Sequence, residues 1–129
     1  MSMIFHHIGF LTKNLKKSQK DFSLLKYKST GKVINDKKFK VKILFIKKGN
    51  NTIELVNPYK VNFGLNKMIK KENYSYHFAY ITKSFEKDIK KFKRKFKLIV
   101  NPTPAVAFKG KKVCFFKMKN SFIIELIQS

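Results

Sequence analysis

Apolar and polar positions along the chain fall into short extended runs separated by one-sided helical stripes. The opening run IFHHIGFLT carries apolar residues on both faces of an extended segment, the pattern of a half-buried or buried strand. Asn14 follows where a helix N-cap belongs, with Leu15, Phe22 and Leu25 as a sparse apolar stripe behind it. VKILFIKK, Gly49-Asn50 and NTIELV then read as a hairpin, because a Gly-Asn pair supplies the positive backbone angles that a tight turn needs. The order returns further on. HFAYIT reads as a strand, Ser84 stands at an N-cap, and Phe85, Ile89, Phe92 and Phe96 recur at helical spacing. KKVCFFKM, Lys119-Asn120 and SFIIELI read as a second hairpin. NPTPAVAF, from Asn101, is a Pro-marked loop or an irregular edge strand.

The recurrence is an internal repeat. A shift of 70 lays HIGFLTKNLKKSQKDF over HFAYITKSFEKDIKKF, so that His7 meets His77, Thr12 meets Thr82 and Phe22 meets Phe92. A shift of 71 lays ILFIKKGNNTIEL over CFFKMKNSFIIEL, with Phe45 on Phe116 and Glu54 on Glu125. Lysine matches mean little in so lysine-rich a chain, but the His, Thr, Phe and Glu matches keep their order. The repeat predicts an α+β fold, β-α-β-β twice over, with room for a third strand near residues 30–36 and 103–108. Module one spans about residues 1–57 and module two about 75–129, with a linker over about 58–74 that has room for a short helix.

Composition narrows the class. At 129 residues, 43% hydrophobic and with Phe at 14 copies, the chain suits one compact domain with a real core. No apolar run is long enough for a membrane span, and the N-terminus lacks the basic-then-apolar order of a secretory signal, so the cytoplasm is the expected compartment. The lone cysteine, Cys114, lies in the apolar run VCFF and is expected as a buried small hydrophobe. A net charge of +23 invites a nucleic-acid reading. Against it, Arg94 is the only arginine, whereas base and phosphate recognition favours the bidentate guanidinium fork, and the lysines are spread along the chain. No specific nucleic-acid partner is expected; the field favours small anionic ligands.

Four side chains need a reason. His7 and Glu54 are 47 residues apart, and His77 and Glu125 are 48 apart. Each glutamate is the only acid in a strand of apolar or β-branched residues, TIELV and FIIELI. A single strand Glu is commonly a residue on a wet sheet face, and a single strand His is commonly a hydrogen-bonded structural residue. The duplication argues for more, since it puts both pairs at equivalent places in two similar modules. Two imidazoles and two carboxylates form a coherent ligand set for a divalent metal with open coordination positions. His6 alternates to the opposite face, has no matching histidine in the repeat, where Tyr76 stands, and is read as structural.

With these motifs in order, HHIGFLTKNL, TIELVNP, YHFAYIT, PAVAFKGKKVCFF and IIELI, the chain resembles the vicinal oxygen chelate superfamily over nearly its whole length. That superfamily includes glyoxalase I and methylmalonyl-CoA epimerase. The resemblance implies two tandem β-α-β-β-β modules whose strands form a curled mixed sheet, a cup, with helices on the outer face. It places the metal ligands at His7, Glu54, His77 and Glu125, with Zn, Ni or Co as the divalent metal, and it implies a homodimer.

By the same resemblance, the reaction removes a proton from carbon beside a thioester or hemithioacetal and returns it through a metal-stabilised enediolate. Glu125 would serve as base, and Glu54 as the second carboxylate, either a permanent ligand or a partner on the other face. Related epimerases carry an acid three positions before the valine that opens the first hairpin; counting back from Val41 gives Lys38, with Asp36 nearby. That departure favours a glyoxalase I-like isomerase of the lactoylglutathione lyase type. A methylmalonyl-CoA epimerase-like enzyme and a metal-free small-molecule-binding member are the alternatives. Iron dioxygenases of the superfamily use two histidines and one carboxylate, so Glu54 counts against that class.

Overall fold

The computed structural model describes residues 3–129, which form nine strands, three α-helices and one 3-10 turn. In chain order these are β1 (Met3–Leu11), α1 (Leu15–Ser23), β2 (Lys28–Ser29), β3 (Ile34–Asp36), β4 (Val41–Lys48) and β5 (Asn51–Pro58). There follow α2 (Phe63–Lys70), β6 (Ser75–Thr82), α3 (Phe85–Lys93), β7 (Lys97–Pro104), the 3-10 turn Val106–Phe108, β8 (Lys112–Lys117) and β9 (Ile123–Gln128). The α+β class is that expected from the repeat, and the mixed sheet that implied by the resemblance. Among the described residues no helix is long and apolar enough to cross a membrane.

The chain divides into two compact units, with both boundaries next to a histidine: one unit is Ile8–Tyr76, the other His77–Ser129 with the chain up to His7. In the Ile8–Tyr76 unit, β5 lies between β1, which it pairs in parallel, and β4, which it pairs antiparallel. β2 and β3 pair with β4. The β4–β5 hairpin holds eight residue pairs from Val41↔Pro58 to Lys48↔Asn51. Gly49 takes φ +58 in the turn, a conformation that a side chain strains and glycine does not. Leu44, Ile46 and Leu55 form the core, packed against Phe10, Leu15, Phe22, Tyr27 and Ile53.

The expected α1 stripe needs one correction. Leu25 lies past the helix end and is 58% exposed. Lys26 turns left-handed at φ 73, its N–H bonds the Ser23 carbonyl, and Tyr27 bonds back to Phe22, so it is Tyr27 that joins the core. Residues 58–74, expected as a linker, hold α2, capped by the Asn62 side chain on Leu65 N–H.

In the unit completed by His77–Ser129, β6 pairs in parallel with β9, β9 with β8, and β8 with β7 at the edge. The α3 stripe packs as the spacing predicts, Phe85 and Ile89 buried with Cys114, Phe116 and Leu126, and Phe92 and Phe96 against them. The Pro-marked stretch is an edge strand: β7 runs through Pro102 to Pro104 with two register shifts, and the residues after Ala105 form the 3-10 turn rather than a strand. The thiol of Cys114 is fully buried, and burial, with the Glu125 charge adding to it, pushes its pKa to about 12.

The Thr12/Thr82 match has a structural cause, seen once in each unit. Thr12 Oγ1 accepts from Asn14 N–H and shares a 2.6 Å hydrogen bond with Ser18. Thr82 Oγ1 accepts from Ser84 N–H and donates to Asp88. Each buried hydroxyl ties the end of a strand to the first turn of the helix that follows. Asn14 caps α1 by accepting from Lys17 N–H, whereas Ser84 makes no side-chain cap bond to α3.

Candidate metal centre

Strands β1, β6 and β9 bring three polar side chains together in a buried place. His7 and His77 are fully buried and Glu125 is 3% exposed. Strand alternation aims His77 and Ala79 from β6, and Ile123 and Glu125 from β9, to shared faces of their strands. The parallel register sets Ala79 opposite Glu125. The residue beside the carboxylate is therefore small, and no bulky chain stands between Glu125 and the histidine two positions earlier.

Three atoms converge. His7 Nε2 and His77 Nε2 are 3.0 Å apart, and Glu125 Oε1 lies 3.3 Å from the first and 3.1 Å from the second. The contacts are short but poorly aimed, for Oε1 is buried and accepts no hydrogen bond of good geometry. Burial by itself raises the Glu125 pKa; the His7 and His77 imidazoles beside it override that and bring the carboxyl down to about 2. The carboxylate is thus ionised at neutral pH. Aromatic rings wall the imidazoles: Phe108 stacks on His7 at 6.0 Å and Phe115 meets His77 edge-on at 5.6 Å.

Such an arrangement suits a metal ion. Two Nε2 atoms at 3.0 Å can share only one proton, and Oε1 adds further lone pairs, so electron-rich atoms face one point. Donors bound at roughly 2.1 Å and about 90° apart would lie about 3.0 Å from each other, and at the tetrahedral angle about 3.4 Å. The observed spacings of 3.0 to 3.3 Å fall in that interval. The three residues belong to a group of histidines and acids able to hold a metal ion.

Glu54 lies on β5, in the other unit, and is 5% exposed. Its parallel neighbour on β1 is Gly9, two positions after His7. Glu125 has Ala79, two positions after His77. Each glutamate therefore stands to its histidine-bearing strand in the same register, beside a small residue. Asp36 is engaged elsewhere: its Oδ1 accepts from the N–H groups of Lys38 and Phe39, and Lys38 is exposed.

His6 does more than the alternation argument allowed. Its Nδ1 lies 2.7 Å from His7 Nδ1, and its ring meets Phe108 edge-on at 5.6 Å. The His-His doublet was the available signal. Phe108 and Phe115 were not legible as site walls, because a Phe in an apolar run carries no mark of what it covers.

The family model described as Glyoxalase/Bleomycin resistance protein/Dioxygenase superfamily matches residues 6–128. No curated protein sequence matches the chain. Among solved structures, a hypothetical protein from Bacillus halodurans is 26% identical, with a TM-score of 0.85 over 100% of this chain and 96% of that one. The methylmalonyl-CoA epimerase of Streptomyces coelicolor, solved with 2-nitronate-propionyl-CoA, is 16% identical, with a TM-score of 0.84 over 100% and 96% of the two chains. The methylmalonyl-CoA epimerase of Mycobacterium tuberculosis is 13% identical, with a TM-score of 0.81 over 96% and 86%. At such identities the two epimerases share the fold, and the fold alone.

Proposed function

The chain belongs to the Glyoxalase/Bleomycin resistance protein/Dioxygenase superfamily, and from that premise we propose that it is a metal-dependent isomerase of the glyoxalase I type. Its reaction would convert a small anionic hemithioacetal to a thioester by moving a proton between neighbouring carbons. The observation that carries this reading is the convergence of His7 Nε2, His77 Nε2 and Glu125 Oε1 at 3.0 to 3.3 Å in a buried place. Glu54 is the fourth ligand in this proposal, supported by its burial and by the shared register of Gly9↔Glu54 and Ala79↔Glu125.

A bound Zn, Ni or Co ion would supply positive charge to the substrate oxygens as the C–H bond breaks. The chain's own groups do the rest. His7 and His77 present Nε2 lone pairs, which requires each to carry its proton on Nδ1. Glu125, ionised at neutral pH, takes the proton from one substrate carbon and returns it to the next on the same face. Phe108 stacked on His7 and Phe115 edge-on to His77 help keep both rings buried from water, which strengthens the charge interactions inside.

A second reading has its own support. The epimerases that share the fold over the whole chain act on methylmalonyl-CoA, a thioester, and a lysine-rich surface suits CoA phosphates as well as it suits a glutathione carboxylate. Inversion at one carbon calls for two acid/base groups on opposite faces. The carboxylate available in the expected stretch, Asp36, is buried with Oδ1 spent on two backbone N–H groups, which favours the one-base isomerase.

The test is metal analysis of the purified protein, then assays with the methylglyoxal–glutathione hemithioacetal and with methylmalonyl-CoA. The first reading expects stoichiometric divalent metal and turnover of the hemithioacetal, both lost in His77→Ala. Turnover of methylmalonyl-CoA alone selects the second. A wild-type chain that takes up no divalent metal overturns both. Sedimentation of the same sample checks the homodimer that the proposal includes.

A further inference from the structure

We propose that His6 is a positioning residue: its Nδ1 accepts a hydrogen bond from His7 Nδ1–H and so presents the His7 Nε2 lone pair to the metal. The inference rests on the metal-site reading and adds to it a tautomer and the residue that holds it.

Two Nδ1 atoms 2.7 Å apart need one hydrogen between them. If His6 were the donor, the His7 proton would sit on Nε2 and point into the place where His77 Nε2 and Glu125 Oε1 converge. That closes the ligand position. With His7 as donor, Nε2 carries the lone pair and the ring is ready to bind. Metal-ligating histidines as a rule donate their other ring N–H to an acceptor that fixes ring orientation and tautomer. Here the acceptor is a second imidazole from the adjacent residue. Its ring is set against Phe108 at 5.6 Å, the same ring that stacks on His7. The repeat does not carry the device over, since Tyr76 stands before His77.

The chemistry suggests sharp variants. In Asn and Asp an oxygen occupies the place that Nδ1 has in His, attached to the γ carbon. His6→Asn and His6→Asp therefore keep an acceptor where it is needed. His6→Phe keeps a ring against Phe108 and removes the acceptor, and His6→Lys offers only N–H donors.

Zinc affinity would be measured by competition with a chromophoric chelator, and the site read independently by the visible absorption of the Co(II) form. Affinity in His6→Phe and His6→Lys is expected to fall about 10–100-fold, the usual cost of losing such a partner. His6→Asn and His6→Asp should stay close to wild type in affinity and in spectrum. Circular dichroism confirms folding, and if His6→Phe does not fold, the Asn and Lys variants carry the same contrast. Wild-type affinity in the variants without an acceptor, or equal weakening in His6→Asn, overturns the role of His6 while leaving the metal site standing. No zinc uptake by the wild-type chain removes the metal site and the inference together.

Discussion

Replacing Glu125 by Gln keeps the shape of the side chain and removes its charge, so it isolates the carboxylate's bond to the two imidazoles. In the folded chain that carboxyl is held at about 2, below an ordinary glutamate value of about 4.3. A gap of roughly two units or more corresponds to about 3 kcal/mol of preference for the ionised form in the folded state. Because the folded value is the lower one, the stabilisation is complete above about pH 4.5, fades as pH falls through the interval down to about 2, and is absent below it. The amide has no such dependence. Urea unfolding of chelator-treated wild type and Glu125→Gln at about pH 7, 5, 4 and 3 gives the difference in stability at each pH. Subtraction removes the acid response that the two proteins share. The difference should hold steady from neutral pH to about 5 and then shift against the wild type by somewhat under about 2 kcal/mol at pH 3, a little over half of the full amount, the rest being lost only as pH falls through about 2. A difference that stays flat with pH would show that the imidazoles do not hold the carboxylate in its ionised form, and the electrostatic account of the cluster would fall with it.

Three further outcomes follow from the packing. Thr82→Val keeps the volume but strips the Ser84 N–H and Asp88 of their shared partner, and should cost about 1–3 kcal/mol in urea unfolding. Phe116→Ala empties a fully buried position beside Phe92 and Leu126 and should cost about 3–5 kcal/mol by the same measurement. Cys114, buried with its thiol at about 12, should resist a thiol-reactive dye in the native protein and react only on unfolding. Rapid native labelling would contradict the burial.

The elements most legible in the sequence were those whose signal is local. Gly49-Asn50 between two apolar, β-branched runs is sufficient for a hairpin, and Phe85, Ile89, Phe92 and Phe96 mark one face of a helix whatever lies beneath. The repeat added what local pattern lacks: it aligned His7 with His77 and Glu54 with Glu125, and the shared register beside Gly9 and Ala79 is its structural counterpart. The misses came from features that periodicity cannot carry. Leu25 fits the helical stripe, but a left-handed residue at Lys26 ends the helix first and hands its place to Tyr27. Residues 103–108 were expected to hold the third strand of the second module, yet that strand is β7, from Lys97, and Val106–Phe108 form a 3-10 turn. Alternation turned His6 away from the site, but an imidazole is long enough for its Nδ1 to reach the ring next to it. A two-fold pattern states where a Cβ points and says nothing of where a flexible side chain ends.

The pairing of Ala79 with Glu125 has a bearing on how such a chain can drift. Adding or losing one residue within β9 before Glu125 would swing the carboxylate to the reverse side of the sheet and bring an isoleucine or leucine in its stead. A change of two keeps the face but moves the carboxylate roughly 6–7 Å along the strand, out of reach of the histidines, so length changes are tolerated outside the ladder, as in the turn around Asn120 and Ser121. Register is therefore inherited along with chemistry, and descendants of this chain can lengthen at their turns while the strands that carry the acids stay fixed in count.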